Sequence, residues 1–224
     1  MATMAHPQQT QFFHSLSKHY PSFFQDGKVA EIGSLNINGS IRECFITKDY
    51  TGYDIAEGNG VDVVQRGELI SLPTDSLDTS VSTECFEHNP FWVETFSNML
   101  RMTRPGGLVI LTCATTGRQE HGTTRASPSD SPLTTNAGWH YYKNLDANDF
   151  LGTFNMFAWF DAFHFLMCPQ TFDLYFYGLR SSKIPTVKSA DFIKTATQIE
   201  SELNALNSTI RIGFWTKKHG WCPR

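Results

Sequence analysis

Short apolar runs alternate with polar and glycine-containing connections through the first half of the chain, from residue 28 to residue 114. The runs are too short for helices, and they predict strands at residues 28–32, 49–54, 61–64, 76–83 and 107–113. A short helix is predicted at residues 40–45 and an amphipathic one at residues 91–102. Strands that alternate with connections in this way are typical of a parallel sheet with helices on both faces.

The N-terminal segment, residues 1–27, is predicted to contain a helix because apolar side chains recur there at helical spacing. These side chains are Phe12, Phe13, Leu16 and Tyr20. Pro21 is expected to end the helix, since proline cannot continue the backbone hydrogen bonding. We expect this helix to pack over the sheet; the alternative is a lid over a ligand.

The C-terminal half, residues 146–224, contains two aromatic-rich runs at 157–166 and 172–177. They flank Cys168-Pro-Gln, which indicates an antiparallel hairpin. A short helix is expected to begin at Asp146, a good capping residue, and to reach residue 151.

A longer helix is predicted at residues 189–206, with one apolar face. That face comprises Phe192, Ile193, Ala196, Ile199, Leu203 and Leu206. The tail from residue 213 is basic and aromatic, and we interpret it as a packed terminal strand; a nucleic-acid patch is the alternative. The elements together predict a single α/β domain over residues 1–224. Its fold class is Rossmann-like and doubly wound, with a mostly parallel seven-stranded sheet that ends in an antiparallel β-hairpin.

Composition narrows the class of protein. The chain has 224 residues, of which 40% are hydrophobic, so it can bury a substantial core. A net charge of −4 gives no electrostatic footprint for nucleic acid or an anionic membrane. No run approaches the roughly 18 apolar residues of a membrane span, and the first residues lack the features of a signal peptide. We therefore expect a cytoplasmic protein with neither nucleic-acid nor membrane partners; the pattern favours no particular oligomeric state.

Cysteine and histidine spacing gives little sign of metal chemistry. The five cysteines include no Cys-x-x-Cys pair and are expected to be reduced and buried. The eight histidines show no paired ligand spacing, so no metal site is predicted, although the fold could bring some of them together.

The segment at residues 115–145, called loop 115–145 below, has no apolar period and is rich in Gly, Ser, Thr and Pro. Structureless loops beyond about 12–15 residues inside compact domains are usually functional or disordered. This one carries side chains that are uncommon in plain linkers, namely His121, Arg125, Trp139, His140, Tyr141 and Tyr142. The composition favours a loop that covers a ligand or selects a substrate.

The stretch Val-Ala-Glu-Ile-Gly at residues 29–33 is the most informative in the chain. It predicts a strand that ends at Gly33, where open α/β sheets bind nucleotide-like ligands. Neither Gly-x-Gly-x-x-Gly nor a P-loop is present, so the turn need not hold a pyrophosphate. The carboxylate of Glu31 would repel a pyrophosphate and attract a cation. The pattern therefore indicates a positively charged adenosine-type ligand.

Four blocks recur in one order along the chain: Glu31-Ile-Gly33, Gly52-Tyr-Asp54-Ile, Ser76-Leu-Asp78 through Glu87-His88, and Arg104-Pro-Gly-Gly107. In this order and spacing they resemble class I S-adenosylmethionine-dependent methyltransferases, and most closely the type 11 branch. The resemblance implies S-adenosylmethionine as cofactor and S-adenosylhomocysteine as product. It also divides the domain into a cofactor-binding half at 28–114, a substrate or lid segment at 115–145 and a C-terminal half at 146–224.

The resemblance also implies a set of cofactor-binding residues: Glu31, Gly33, Ser34, Asp54, Ile55, Gly67 and Glu84. Glu31 is expected near the cofactor's amino group, Asp54 is expected to accept both ribose hydroxyls, and Ile55 is expected to pack on adenine. Arg66 stands where many relatives carry an acidic residue on the adenine amino group, and it cannot accept that hydrogen bond. Either the Gly67–Glu68 backbone or the Glu68 side chain would then take the role.

Methyl transfer needs a positioned acceptor, and a hydroxyl acceptor also needs a base. His121 and His140 are our first candidates for that base, followed by His88; an amine acceptor would need none. Arg125, Trp139 and Tyr141 are expected to contact the substrate. The leading hypothesis is methyl transfer to a small molecule or glycan building block. The alternative is a non-catalytic cofactor- or partner-binding domain of the same fold, and a nicotinamide-dependent oxidoreductase is disfavoured by the missing glycine motif.

Overall fold

A single nine-stranded sheet runs through the computed structural model, which describes residues 7–206 and 210–223. The strands are β1 (Val29–Ile32), β2 (Tyr50–Asp54), β3 (Val63–Val64), β4 (Leu77–Thr83), β5 (Thr103–Ala114), β6 (Phe160–Cys168), β7 (Asp173–Arg180), β8 (Ile210–Thr216) and β9 (Gly220–Pro223). Their order is β3-β2-β1-β4-β5-β7-β6-β8-β9. The pairings among β1 to β5 are parallel, and those from β5 through β9 are antiparallel.

The α/β, Rossmann-like class is confirmed, but the prediction of seven strands is wrong. β8 pairs with the edge of β6 that β7 leaves open, and β9 pairs in turn with β8. The tail therefore packs as strands, as interpreted from the sequence, and extends the sheet beyond the hairpin. Mostly parallel pairing holds for the half of the sheet that contains β1 to β5.

Helices cover both faces of the sheet. They are α1 (Pro7–His19), α2 (Ser22–Gln25), α3 (Trp92–Met102), α4 (Pro132–Asn136), α5 (Ala147–Thr153), α6 (Met156–Trp159) and α7 (Ser189–Leu206). Apolar residues of α1, α2 and α7 form one core cluster with one face of the sheet, and those of α3, α5 and α6 form a second cluster on the other face. The fold is therefore doubly wound, as predicted.

The N-terminal helix packs over the sheet, so this expectation is confirmed for the described part of residues 1–27; residues 1–6 lie outside it. Phe12, Phe13 and Leu16 are fully buried in the first core cluster. The predicted apolar face of α7 is buried in the same cluster through Phe192, Ala196, Ile199 and Leu203, with Ile193 partly buried beside them. The predicted contribution of the Leu206 side chain lies outside the described residues.

The strand predicted at residues 157–166 begins later than expected. Residues 156–159 form the helical turn α6, and the strand starts at Phe160. Phe160 pairs with Arg180, the last residue of β7, so the regular pairing of the two strands begins there. Aromatic content alone does not reveal where a partner strand ends.

Loop 115–145 has more structure than its composition predicts, since it contains a 3₁₀ turn at Pro128–Asp130 and the helix α4. The next helix begins as expected, because Asp146 and Asp149 form a reciprocal capping box at the start of α5. All five cysteines are free thiols. Within the described residues, no helix has the length and apolarity needed to cross a membrane.

Candidate active site

A cavity of about 330 Å³ opens at the carboxyl ends of β1, β2 and β4. This is the edge where open α/β sheets bind ligands, and its volume falls in the usual range for small-molecule sites. Five parts of the chain line it: Gln9 of α1, β1 with the segment that follows it, Asp54 at the end of β2, the end of β4 with the following turn, and part of loop 115–145. The strands therefore bring residues from distant parts of the sequence to one place.

The turn after β1 depends on glycine at position 33. The backbone φ angle of Gly33 is +79°, a conformation that residues with a side chain rarely adopt. A Cβ atom at this position would also lie 2.6 Å from both Cβ and Sγ of Cys85. The side chain of Cys85 therefore occupies the space into which a side chain at position 33 would point. The amides of Gly33 and Ser34 both donate to the carbonyl oxygen of Tyr53, which fixes the turn against β2.

Asp54 ends β2 and lines the cavity. Its Oδ2 accepts a hydrogen bond from the Leu35 amide at 3.0 Å, and its Oδ1 accepts one from the Ile55 amide at 2.7 Å. Each oxygen keeps a further lone pair for a ligand hydroxyl. Burial raises the pKa of this carboxyl above its usual value. Asp54 therefore both holds the neighbouring turn and offers acceptors to the cavity.

Glu31 lies inside β1 and is 3% exposed, and it also lines the cavity. The hydroxyl of Tyr50, on the neighbouring strand, donates a hydrogen bond to Glu31 Oε2 at 2.9 Å. Burial raises the pKa of Glu31 to about 7, although this hydrogen bond favours the charged form. A buried carboxyl in this state gains a counter-ion when a cationic ligand binds.

A third acidic group of the cavity wall, Glu84, lies at the end of β4. Glu84 accepts a hydrogen bond from Thr112 Oγ1 at 2.9 Å, and Thr112 in turn accepts one from Gln9 Nε2 of α1 at 2.7 Å. Burial raises the pKa of Glu84 well above its usual value, and the nearby carboxyl of Asp173 raises it further. Glu84 and Gln9 both line the cavity, so α1 supplies one polar group to its wall.

His88 and His121 meet on the cavity wall. Their ring centroids are 5.0 Å apart at nearly perpendicular planes, and the Tyr142 ring contacts both. Burial lowers the pKa of His88 to about 3 and also lowers the pKa of His121. Both imidazoles are therefore neutral at neutral pH. Gly122 allows this contact, because a Cβ atom there would lie 2.6 Å from His88 Cε1.

The structure does not bring the other predicted loop residues into this cavity. His140 is exposed, and its Nδ1 lies 2.9 Å from Thr124 Oγ1. Arg125 is exposed and forms an ion pair with Glu120 at 2.8 Å. Tyr141 packs against the second core cluster. None of the three is among the residues that line the cavity.

Trp139 lies in a small cleft of about 30 Å³ that adjoins the cavity and shares Gly33, Asp54, Cys85 and Thr134 with it. Ile55, Gly67 and Glu68 line the same cleft, so the predicted adenine-side residues come together here. Arg66 lies over the Phe91 ring at 4.3 Å and pairs with Glu68, which leaves Glu68 Oε2 buried without a hydrogen-bond partner among the described residues. Of the two adenine acceptors left open by the sequence, the Glu68 side chain gains support from this orphaned oxygen.

Two residues that help to form the site were not predicted from the sequence, Gln9 and Arg118, and Tyr142 was noted only as part of the unusual composition of loop 115–145. Gln9 is a polar residue that is almost fully buried. The signal available in the sequence was its position three and four residues before Phe12 and Phe13, on the same helix face. Arg118 pairs with the buried Asp173 at 3.4 Å, and Tyr142 donates a hydrogen bond to the Gln119 carbonyl at 3.1 Å. Nothing in the local sequence pattern distinguishes Arg118 from its neighbours.

No protein-family model matches the sequence, and no curated protein matches it. Solved structures do match the fold. One is Burkholderia thailandensis 1,6-didemethyltoxoflavin-N1-methyltransferase with bound 1,6-didemethyltoxoflavin and S-adenosylhomocysteine, at 11% identity over 79% of this chain and 80% of that chain, with a TM-score of 0.52. Another is a putative S-adenosylmethionine-dependent methyltransferase from Listeria monocytogenes, at 13% identity over 79% of this chain and 100% of that one, with a TM-score of 0.51.

A third match is Haemonchus contortus phosphoethanolamine N-methyltransferase 2 in complex with S-adenosyl-L-methionine. It is 14% identical over 91% of this chain and 50% of that chain, with a TM-score of 0.50. The chain therefore has the fold of class I S-adenosylmethionine-dependent methyltransferases, which confirms the fold resemblance seen in the sequence. Assignment to the type 11 branch stays a prediction.

Proposed function

We propose that the protein binds S-adenosylmethionine in the cavity and transfers its methyl group to a small molecule or glycan building block. The observation that carries this proposal is the placement of Glu31 and Asp54. Their strands, β1 and β2, are parallel neighbours, both side chains line one cavity, and the Gly33 turn runs between them. A nucleoside with a cationic tail fits two carboxylates so arranged, whereas a pyrophosphate does not.

The proposed orientation of the cofactor follows from these contacts. Glu31 attracts the α-ammonium group, and Asp54 accepts hydrogen bonds from the ribose hydroxyls. The adenine ring binds in the cleft beside Ile55 and Trp139, which has to widen to admit it, with the orphaned Glu68 oxygen as acceptor for its amino group. The sulfonium then lies in the main cavity, whose wall also carries Glu84. A cationic centre is favoured there by the surrounding carboxyl groups.

The acceptor binds on the side of the cavity formed by His88, His121 and loop 115–145. Most of the acceleration of an in-line methyl transfer can come from holding the reacting atoms collinear, worth roughly 7–11 kcal/mol. For a hydroxyl acceptor, His121 is the favoured proton acceptor, because the low pKa of the buried His88 makes it a weak base. The exposed positions of His140 and Arg125 and the core packing of Tyr141 do not support roles for them in the reaction.

Calorimetry tests the binding step. S-adenosylhomocysteine should give heat on titration and NAD should give none. Asp54→Ala should weaken binding by roughly 1–3 kcal/mol, because a charged acceptor is removed from the ribose hydroxyls. Asp49→Ala, an exposed carboxylate just before β2, is the matched control and should leave affinity unchanged. Heat from NAD alone, or full affinity in Asp54→Ala, would contradict the proposed orientation.

Turnover is tested separately, with a panel of hydroxyl and amine acceptors and release of S-adenosylhomocysteine as the readout. Release that requires an acceptor supports the enzyme. Tight cofactor binding with no release across the panel would favour the alternative, a non-catalytic domain of the same fold. With an active hydroxyl acceptor, His121→Ala should reduce turnover far more than His140→Ala; equal turnover in both variants would contradict a histidine base.

A further inference from the structure

Three side chains of types that commonly bind metal ions, one glutamate and two histidines, lie close together beside the cavity. Glu87 and His88 belong to the 3₁₀ turn that follows β4, and His121 comes from loop 115–145. One ligand atom from each lies within 4.8 Å of those of the other two, and Glu87 Oε1 is 4.0 Å from His88 Nε2. We propose that these three residues bind a divalent transition-metal ion, with zinc the best match.

The first support is that the proposed ligands are buried and that the Glu87 carboxylate lacks hydrogen-bond partners of normal geometry among the described residues. Glu87 is fully buried and His88 is 3% exposed. Across residues 7–206 and 210–223, neither carboxylate oxygen of Glu87 has a hydrogen-bond partner of normal geometry, although the backbone amides of Glu87 and Ala114 lie near the carboxylate. Buried polar groups are normally satisfied, and a buried charge is normally paired or bound to a metal ion. A cation bound to the Glu87 carboxylate supplies the missing partner.

The second support is the orientation of His121. Its Nδ1 lies 3.0 Å from the carbonyl oxygen of Gln119. A carbonyl oxygen can only accept, so Nδ1 carries the proton and the Nε2 lone pair is left to bind a cation. Imidazoles that bind metal ions usually donate their other N–H to a carbonyl or carboxylate oxygen in this way. This contact therefore sets the tautomer that a ligand requires.

The donor set selects the ion. Two imidazoles and one carboxylate are typical of catalytic zinc sites, which keep a fourth position open, whereas magnesium and calcium prefer oxygen ligands. Ligand atoms on tetrahedral zinc are roughly 3.4 Å apart, so the three side chains need to close in by about 1 Å. Arg118, the cation beside this cluster, is paired with Asp173 at 3.4 Å, which offsets part of its repulsion.

The open position would face the cavity, because His88 and His121 line it while Glu87 lies behind them. A hydroxyl acceptor bound there would lose its proton more readily. With the ion bound, the two histidines would act as ligands, and the ion would replace the role as base proposed above for His121. This role rests on the proposed function. The metal site itself does not, because it is defined by the three side chains alone.

The test uses the full chain, stripped of metal by chelator and titrated with zinc by calorimetry and with cobalt(II) by visible absorption. One ion per chain and the visible bands of tetrahedral cobalt are expected. His121→Ala and Glu87→Gln should each weaken zinc binding by more than about 10-fold. This is a lower bound, because loss of a residue that only supports a ligand already costs about 10-fold or more. His14→Ala, a histidine on the exposed side of α1, should bind zinc as the wild type does.

Circular dichroism and S-adenosylhomocysteine affinity, measured on every variant, separate loss of a ligand from loss of the fold. His121 is only partly buried, so its alanine variant is the one expected to keep the fold. Saturable zinc binding that is unchanged in His121→Ala and Glu87→Gln would overturn the proposal, as would an inability of the wild type to bind zinc or cobalt. Either result would leave cofactor binding as a separate question.

Discussion

The hydroxyl of Tyr50 donates a 2.9 Å hydrogen bond to Glu31 Oε2 across the parallel pairing of β1 and β2. The hydrogen bond favours the charged carboxylate, but burial has the larger effect and raises the pKa of Glu31 to about 7. A carboxyl that titrates near neutrality on the wall of a ligand cavity makes cofactor binding sensitive to pH.

The first prediction concerns that sensitivity. Between pH 5.5 and 7, affinity for S-adenosylhomocysteine should rise with pH by up to about tenfold per pH unit, because the ammonium group pairs with ionised Glu31 only. Above pH 7 the rise should level off. Calorimetric titrations across this range measure it, and Glu31→Gln should bind more weakly at pH 7.5 with a flatter profile. A flat profile in the wild type would show that Glu31 does not face the ligand's charge.

The second prediction concerns stability without ligand. Folding raises the pKa of Glu31 from 4.5 to about 7. Protonation of this carboxyl therefore contributes stability that is fully present below pH about 4.5 and is lost as the pH rises through about 7. At pH 8 Glu31→Gln should therefore raise the free energy of unfolding, by up to about 3 kcal/mol, and at pH 4 the gain should vanish. Urea unfolding at both pH values checks this. Glu57→Gln, which changes an exposed carboxylate, should show no comparable gain at pH 8.

The third prediction separates two causes of the glycine requirement at position 33. Gly33→Ala should destabilise the fold through a left-handed backbone conformation, worth about 1–2 kcal/mol, and through overlap with Cys85. In a Cys85→Gly background the overlap disappears and the backbone part should remain. Gly152→Ala, in α5 with no atom near the new Cβ, should instead be neutral or stabilising. Equal losses in both backgrounds would mean that Cys85 moves aside without strain.

The fourth prediction concerns loop 115–145. The cleft beside Trp139 is about 30 Å³, too small for an adenine ring, so the Thr134 and Trp139 region must move when the cofactor binds. Hydrogen exchange should be fast in residues 130–140 without ligand and slower with S-adenosylhomocysteine. Amides of β5 and β7, in the centre of the sheet, serve as the internal reference. Strong protection of the loop in both states would identify it as a fixed part of the structure.

The fold class could be predicted from the short apolar runs that alternate with polar connections. Each buried strand needs such a run, and the run is visible in the local sequence. The sequence also predicted that Glu31, Gly33 and Asp54 would lie together, since the carboxyl ends of adjacent parallel strands meet at one edge. Strand count was harder to predict. Whether residues 210–223 join the sheet depends on an open edge of β6, and that edge is defined by residues far away in sequence.

The loop side of the site could not be predicted in this way. His121, His140, Arg125 and Tyr141 were selected by residue type alone, and of these His121 alone lines the cavity. Its position depends on the path of a long irregular segment, and on Gly122 in particular, which has no periodic signal. Gln9 reaches Thr112 across 103 positions of sequence, a contact that only the packing of α1 determines.

The two outer strands of the sheet affect how copies of the chain meet one another. β3 has two residues, and β9 has four, ending at Pro223, which lacks an amide proton. A strand of another molecule can add to an exposed edge only where a row of amides and carbonyls is available, and short or proline-containing strands offer a poor template. The tail that lengthens the sheet thus replaces the long edge of β6 with a short one, which disfavours edge-to-edge aggregation.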